Sequence, residues 1–143
     1  MILVTGGCGY IGSHTCLELL QAGYQVVVLD NLSNASQESL SRIEALTGKK
    51  IPFVRGDVRD IGCLNQIFEK FSITSVMHFA GLKAVGESVK LPLRYYENNV
   101  GGSLCLLNTR KTHHFFSNGN ISRTTNIAPF SRIFYTTKFP MQD

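Results

Sequence analysis

Short apolar runs alternate with longer segments of helical spacing over residues 1–109 of the chain. The short runs are rich in aliphatic and β-branched residues and predict strands at Ile2–Thr5, 25–29, 51–54 and 75–79. The run at 25–29 is continuously apolar, which indicates a strand that is covered on both faces of its sheet. The alternation therefore favours a parallel sheet with helical connections.

Helices are predicted between these runs. The first, Tyr10–Gln21, has apolar positions close to helical spacing, and Gly23 follows it as a C-terminal stop signal. Others are predicted by similar spacing and by boundary residues: one at 37–46 that Gly48 ends, one that starts after Asp60 and, beyond a loop at 80–92, one at 93–109. This order of elements predicts an α/β fold with a parallel sheet and right-handed crossovers. Together with the glycine turn after the first strand, it predicts a Rossmann-like, doubly wound sheet with strand order 3-2-1-4.

The remaining residues, 110–143, do not continue the alternation of strand and helix signals. They are rich in Ser, Thr, Asn, Phe and Arg and show no helical period. We therefore expect an incomplete domain at 1–109, followed by an irregular tail of foreign composition, as a truncated and frameshifted reading frame would produce. Within the tail only 132–137 has strand character, and it could add a fifth strand beside the fourth.

Composition narrows the class of protein. The chain has 143 residues, of which 43% are hydrophobic and 17% charged, as expected for one soluble domain with a core. No apolar run is long enough to span a bilayer, and no leader pattern precedes the first strand. The net charge of +4 falls entirely within 110–143, so the body carries no basic groove for nucleic acid. Four cysteines without a Cys-x-x-Cys pattern suit reduced thiols in the cytoplasm, and we expect no metal site.

The turn after the first run carries the clearest chemistry. A Gly-x-Gly-x-x-Gly pattern at 7–12 lies between a strand and a helix, and an acid ends the second strand. Gly6 and Gly9 would let the backbone turn tightly and approach a pyrophosphate, and Gly12 would let the helix pack against the strand. The N–H groups of the first helical turn would then face the phosphates, at Tyr10 and Ile11. The alternative is a glycine turn that binds nothing.

Acidic and basic residues at the ends of the later strands extend the hypothesis of a dinucleotide-binding site. Asp30 is expected to accept hydrogen bonds from the ribose hydroxyls of an adenosine, and its charge would repel a 2′-phosphate. No Arg or Lys precedes Arg42, so the pattern favours NAD over NADP. The alternative for Asp30 is a carboxylate that caps a turn. Asp57 could meet an adenine amino group or start a turn, and Lys83, in the 79–83 segment, could reach a phosphate or ribose or remain solvated.

Several blocks together resemble a known family. Thr-Gly-Gly-Cys-Gly-Tyr-Ile-Gly at 5–12, Leu-Asp-Asn-Leu at 29–32 and Gly-Asp at 56–57 resemble the extended short-chain dehydrogenase/reductase family. His-Phe-Ala-Gly-Leu-Lys-Ala-Val-Gly-Glu-Ser at 78–88 and Tyr-Tyr-Glu-Asn-Asn-Val at 95–100 resemble, more narrowly, its UDP-glucose 4-epimerases. The resemblance covers residues 1–109. It implies interconversion of UDP-glucose and UDP-galactose by transient oxidation at C4, with NAD as the cofactor.

The resemblance also implies which residues contact NAD. Together with the glycines of the first turn, the expected contacts are Gly6, Gly9, Tyr10, Ile11, Gly12, Asp30, Asn31, Leu32, Ser33, Asn34, Ala35, Asp57, Val58, Phe79, Ala80, Gly81, Leu82, Lys83 and Asn98.

The family's catalytic pair is absent from the sequence. The resemblance implies a tyrosinate that takes the proton of the sugar 4-hydroxyl and a lysine, four residues later, that lowers the tyrosine pKa. No lysine follows at that spacing after any tyrosine of the chain, namely Tyr10, Tyr24, Tyr95, Tyr96 and Tyr135. We therefore assign no catalytic residue and expect the chain alone to be inactive.

Two classes of function stay open. The first is the NAD-binding part of a UDP-glucose 4-epimerase that acts on a UDP-sugar, or of another nucleotide-sugar epimerase or dehydratase. The second is a non-catalytic NAD-binding or regulatory fragment. Either could form a homodimer or pair with a full-length subunit. Both predict a cytoplasmic protein with neither nucleic-acid nor membrane partners.

Overall fold

A parallel sheet of short strands forms the centre of the molecule. A computed structural model of the chain describes residues 1–113 and 133–135, with side chains through residue 109. Its strands are β1 (Ile2–Thr5), β2 (Val26–Asp30), β3 (Phe53–Arg55), β4 (Ser75–His78) and β5 (Ile133–Tyr135). They pair in the order β3-β2-β1-β4-β5, and every pairing is parallel. The predicted order 3-2-1-4 is confirmed, as is the fifth strand within 132–137.

Helices occupy the connections between the strands. They are α1 (Tyr10–Gln21), α2 (Glu38–Thr47), α3 (Ile61–Lys70), α4 (Val85–Lys90), α5 (Pro92–Tyr95), a π-helical turn (Tyr96–Gly101) and α6 (Gly102–His113). Two predicted boundary signals act as expected. Gly48 ends α2 in the left-handed region with φ of 67°, where glycine has no Cβ penalty. Asp60 caps α3 by accepting the Cys63 N–H through Oδ1.

The predicted loop at 80–92 is wrong in its second half, where α4 forms. This helix has six residues and buries none of them, so it leaves no apolar period in the sequence. Contacts with α5 hold it in place: the Tyr95 hydroxyl donates to Glu87 Oε2 at 2.7 Å, and Arg94 pairs with Glu87 at 2.7 Å. The helix predicted at 93–109 also differs, because it starts at Pro92, widens into the π-helical turn and continues to His113.

The sheet buries both faces because alternate residues of a strand point to opposite sides. Val4 and Val28 pack on one side with α1 and α2. Leu3 and Leu29 pack on the other with α3 and α6. All four side chains are at most 1% exposed, and each such burial contributes about 1.5–3 kcal/mol. This two-sided core fixes the carboxyl ends of β1, β2 and β4 at one edge of the sheet.

Among the described helices, none is both long and apolar enough to cross a membrane. The predicted irregularity of 110–143 falls outside the described residues, apart from the end of α6 and β5.

Candidate functional site

A cleft of about 270 Å³ lies at the carboxyl ends of β1, β2 and β4. In an open parallel sheet, ligands bind at this edge, where the order of the strands reverses beside the first strand. The loop after β3 also contributes to the lining, so residues from four loops meet at this cleft. The lining residues are Gly6, Gly9, Tyr10, Ile11, Gly12, Leu29, Asp30, Asn31, Ser33, Asn34, Gly56, Val58, Phe79, Ala80, Gly81, Leu82, Lys83, Ala84 and Asn98.

Gly6 and Gly12 allow the loop after β1 to close tightly. Gly6 has a φ of +70°, and a Cβ on it would lie 2.6 Å from the backbone nitrogen of Ala80. A Cβ on Gly12 would overlap the carbonyl oxygen of Gly6 and lie 2.8 Å from the Cα of Gly7. Both positions therefore require glycine, and the closed loop leaves backbone N–H groups within reach of a ligand.

The start of α1 meets the cleft without a side-chain cap. Gly9 occupies the N-cap position in an extended conformation, and none of the described side chains accepts its helix's first N–H groups. Tyr10 and Ile11 line the cleft from this first turn, with 81% and 46% of their surfaces exposed. Free N–H groups and the positive end of the helix dipole together favour an anion at this point.

The Asp30 carboxylate bridges the two loops that border the cleft. The residue is 7% exposed, and its oxygens accept backbone N–H groups at 2.9 Å, Oδ2 from Cys8 and Oδ1 from Leu32. Leu32 lies in the left-handed region with φ of 58°, so the second bond holds a turn that a leucine rarely adopts. An ionised carboxylate has about four acceptor positions. Asp30 thus caps a turn, as one alternative held, and still retains lone pairs for a ligand hydroxyl.

The Asp57 carboxylate is held by Arg59 and does not line the cleft. Arg59 donates from Nε to Oδ1 and from Nη2 to Oδ2, both at 2.8 Å, and Asn31 Nδ2 donates to Oδ2 at 3.1 Å. These hydrogen bonds, with the Arg59 charge, hold the pKa of Asp57 well below its usual range. Asp57 also accepts the N–H groups of Arg59 and Asp60, so it starts the turn before α3.

Two adjacent asparagines of the π-helical turn hold the loop that follows β4. Asn98 Nδ2 donates to Ala80 O at 3.0 Å and to Asn99 Oδ1 at 2.9 Å, and because both partners are acceptors they fix the orientation of the amide. Asn98 is 7% exposed and lines the cleft. Its Oδ1 receives no hydrogen bond from the described part of the chain. A buried amide oxygen in this state is suited to a donor on a ligand.

The buried His78, at the end of β4, connects β1 with α6. Its Nδ1 lies 2.6 Å from Thr5 Oγ1, and its Nε2 lies 3.4 Å from Ser103 Oγ. Burial lowers the pKa of His78 to about 4. The ring is therefore neutral at pH 7, and it joins β1 to α6 without carrying a charge.

The thiols of Cys8 and Cys16 are buried. Burial raises the pKa of Cys8 and of Cys16 to about 12, and the charge of Asp30 adds to the shift at Cys8. Both are protonated at neutral pH, and a thiol in that state is a poor nucleophile. All four cysteines are unpaired. The described ranges contain no group of three or more His, Cys, Asp or Glu side chains that could hold a metal ion.

The structure brings most of the residues predicted to contact NAD to this one cleft. The exceptions are Asp57, paired with Arg59, and two residues that pack against the core, Leu32 and Ala35. Sequence reasoning missed three lining residues, Leu29, Gly56 and Ala84. Each directly adjoins a predicted residue, so extending every block by one position would have included them. The contacts with NAD themselves stay a prediction.

Comparisons with known proteins place this geometry among nucleotide-sugar enzymes. The family model described as GDP-mannose 4,6 dehydratase matches residues 3–125. The UDP-glucose 4-epimerase of Dictyostelium discoideum is 58% identical over 112 residues, which are 78% of this chain and 33% of that protein. The UDP-glucose 4-epimerase of Neisseria meningitidis serogroup A is 50% identical over 142 residues, 99% of this chain and 42% of that protein. The family match and the Neisseria alignment both extend beyond residue 109.

Solved structures show the same similarity. The UDP-glucose-4-epimerase of Stenotrophomonas maltophila, with bound NAD and formylated UDP-arabinopyranose, superposes with a TM-score of 0.77 at 44% identity, over 79% of this chain and 34% of that one. The enzyme of Bifidobacterium longum, in complex with NAD+ and UDP, superposes with a TM-score of 0.78 at 49% identity, over 79% and 34%. The chain spans about a third of the length of these relatives.

Proposed function

The chain belongs to the GDP-mannose 4,6 dehydratase family, and from this premise we propose that it is the NAD-binding portion of a UDP-glucose 4-epimerase. The single observation that carries the proposal is the cleft, where a closed glycine loop, an uncapped helix start and a buried carboxylate meet. The relatives crystallised with NAD have the same fold over 79% of this chain.

NAD fits the chemistry of the residues present. Its pyrophosphate needs N–H donors and a close backbone approach, which Gly6, Gly12 and the first turn of α1 provide. Its adenosine ribose needs an acceptor, and Asp30 retains lone pairs at the cleft. The Oδ1 of Asn98, which has no donor among the described residues, can accept from a further group of the cofactor. The bound cofactor would supply a hydride acceptor, and the chain's own residues would bind and orient it.

The order of the strands sets the direction of the dinucleotide across the sheet. Asp30 ends β2, and the 79–83 segment follows β4, on opposite sides of the glycine loop after β1. With the pyrophosphate at the glycine loop, the adenosine would lie on the β2 side and the nicotinamide riboside on the β4 side. Lys83 is exposed at the rim on the β4 side, where its ammonium can reach a phosphate or a ribose hydroxyl.

The cofactor preference follows from charge. The Asp30 carboxylate would lie against the extra phosphate of NADP, and no cation of the chain before Arg42 could offset it. Two like charges in a partly buried site repel strongly. NAD is therefore the cofactor of this site, and NADP should bind at least tenfold more weakly, a cost of about 1.4 kcal/mol or more.

Catalysis by this chain alone is not part of the proposal. No tyrosine in it is followed four residues later by lysine, so no side-chain pair of that kind can take the sugar hydroxyl proton. UDP-galactose incubated with the purified chain and NAD should remain unconverted when the products are separated by chromatography. Turnover above the buffer control would contradict this part of the proposal.

Calorimetric titration of the full 143-residue chain tests cofactor binding directly. NAD, NADP and ADP are titrated separately at one salt concentration. The proposal expects NAD to bind more tightly than ADP, and NADP to bind most weakly. Failure of both NAD and ADP to bind would refute the proposed function, and equal affinities for NAD and NADP would refute the role of Asp30.

A second subunit belongs to the same proposal, because the helix from Pro92 to His113 exposes an apolar stripe. Its members are Leu93, Tyr96, Val100 and Leu104, which are 75%, 64%, 41% and 54% exposed and recur at helical spacing. A second copy of the chain offers an identical stripe, and a full-length subunit with this N-terminal sequence would offer it too. An isologous contact of this kind is the commonest route to a dimer.

Sedimentation velocity tests the stripe. Leu104→Glu should shift the chain from dimer to monomer, because a carboxylate would be buried in the contact. Leu46→Glu is the matched control, since Leu46 is 73% exposed on α2, outside the stripe. A wild-type monomer at high concentration would rule out self-association.

A cytoplasmic location, which the four unpaired thiols favour, completes the proposal.

A further inference from the structure

The side-chain amide of Asn99 makes two hydrogen bonds to the backbone of Leu82, in the loop after β4. Its Oδ1 accepts the Leu82 N–H at 2.8 Å, and its Nδ2 donates to the Leu82 carbonyl at 3.0 Å. The pair of bonds resembles the exchange between two strands, in which one residue gives and receives across the ladder. Leu82 lines the cleft, whereas Asn99 does not.

The same amide also orients its neighbour. Asn99 Oδ1 accepts from Asn98 Nδ2 at 2.9 Å, and this bond helps to turn the Asn98 amide so that its nitrogen meets Ala80 O. Asn98 is the buried cleft residue whose Oδ1 has no donor within the described ranges. Asn99 therefore fixes two features of the cleft at once, the backbone at Leu82 and the orientation of the Asn98 amide.

The position of Asn99 is itself anchored to the sheet. Ser103 Oγ donates to the Asn99 carbonyl at 2.6 Å and lies 3.4 Å from His78 Nε2. His78 in turn contacts Thr5 at the end of β1, one residue before Gly6. A chain of hydrogen bonds thus joins the glycine loop to the π-helical turn. Wide turns of this kind occur often at functional sites.

We propose that Asn99 is a positioning residue for the nicotinamide-riboside side of the cofactor cleft. The inference rests on the proposed function, since it assumes that a dinucleotide occupies the cleft. Asn99 acts through the 80–82 backbone and through the Asn98 amide and need not touch the cofactor. The loop it holds lies on the β4 side of the glycine loop, away from Asp30. Its loss should therefore weaken NAD far more than ADP.

The experiment measures the affinities of NAD and ADP for the full chain and for Asn99→Leu. Leucine removes both bonds to Leu82 at similar volume, and about a tenfold loss in NAD affinity is expected, with ADP unchanged within about twofold. Asn99→Asp keeps the acceptor for the Leu82 N–H but sets an oxygen against the Leu82 carbonyl. Because these two oxygens repel each other, this variant should also lose NAD affinity, with ADP again unchanged within about twofold.

Glu97→Gln is the matched control, because Glu97 is exposed in the same π-helical turn and makes none of these bonds. It should leave both affinities at the wild-type values. Equal losses of NAD and ADP in Asn99→Leu, or no loss of either, would overturn the inference while leaving cofactor binding by the wild type intact. If Asn99→Leu lacks a cooperative unfolding transition, the NAD-to-ADP ratio of Asn99→Asp decides. A wild-type chain that binds neither ligand would instead refute the proposed function.

Discussion

The backbone N–H of Cys8 donates to Oδ2 of Asp30 at 2.9 Å, across 22 positions of sequence. This bond ties the glycine loop after β1 to the end of β2, and the other carboxylate oxygen holds the turn at Leu32. Asp30 therefore shapes the cleft in the folded chain before any ligand arrives. A buried carboxylate that accepts N–H groups from two loops couples the stability of the fold to the geometry of the site.

Asp30→Asn tests this coupling. An amide can present only one oxygen, so its NH2 group would face one of the two backbone N–H donors and leave that donor unpaired. The free energy of unfolding should fall by about 1–3 kcal/mol, and NAD affinity should fall with it. Urea unfolding followed by circular dichroism measures the first effect, and calorimetry measures the second.

Asp60→Asn is the control for this substitution. Asp60 caps α3 through one oxygen, and asparagine is as good an N-cap as aspartate, so stability should change little. If Asp30→Asn unfolds at the same urea concentration as Asp60→Asn, the bridge contributes nothing measurable.

Gly12→Ala should damage the cleft more than its size suggests. The added Cβ would overlap the Gly6 carbonyl oxygen, so α1 must move away from the glycine loop. We expect a loss of about 1–3 kcal/mol in unfolding free energy and no detectable NAD binding. Gly86→Ala is the comparison, because a Cβ there meets open space within α4, and it should be neutral or slightly stabilising. Equal behaviour of the two variants would show that the close contact at Gly12 relaxes without cost.

Stability should fall as the pH is lowered from about 6.5 towards 4 because of His78. Burial lowers the pKa of His78 in the folded chain to about 4, so the unfolded chain takes up this proton first. The contribution of neutral His78 to the free energy of unfolding is complete above the unfolded pKa of about 6.5. Below that pH it declines by about 1.4 kcal/mol per pH unit. Urea unfolding between pH 7.5 and 4.5 measures the slope. Asp57, whose pKa is held below its usual range, causes its own loss of folding stability only at lower pH.

His78→Asn should remove most of that slope, although it lowers stability at pH 7.5. His14→Asn is the control for the loss of one histidine, because His14 is exposed on α1. A slope that persists in His78→Asn would place the titrating group elsewhere.

Deletion of β5 should make the chain aggregate. Ile133–Tyr135 pairs with β4 along one edge, and its removal exposes a row of unpaired backbone groups. A chain that ends at residue 131 should form large species in light scattering, whereas one that ends at residue 135 should not. Equal scattering by both would show that β4 is protected by something other than β5.

The sequence was sufficient for the sheet and for most of the cleft. Glycine spacing, the acid at Asp30 and continuous apolar runs each have a local cause, and the order β3-β2-β1-β4 follows from the alternation together with the glycine pattern after β1. The helix α4 could not be predicted this way, because it buries no side chain and depends on Tyr95 and Arg94 of the next helix. Tertiary contacts of this kind leave no period in a sequence.

The finer features of the site could not be predicted from the sequence for a related reason. The pairing of Asp57 with Arg59 depends on a turn that brings a guanidinium round to its neighbour, which spacing alone does not favour over an adenine contact. The role of Asn99 depends on a π-helical turn, and a 3.6-residue period assumes that no such turn exists. In both cases the residue types were visible, and their partners were not.

The central place of β1 has a consequence for biosynthesis. One edge of β1 pairs with β2, and its other edge pairs with residues 75–78. During translation this second edge therefore has no partner strand between the emergence of β2 and that of residues 75–78. At about 5–20 residues per second the interval lasts several seconds, and parallel pairing at such sequence separation is slow in any case. The nascent chain is thus most vulnerable to chaperone capture or misassembly in the interval between the second strand and the fourth.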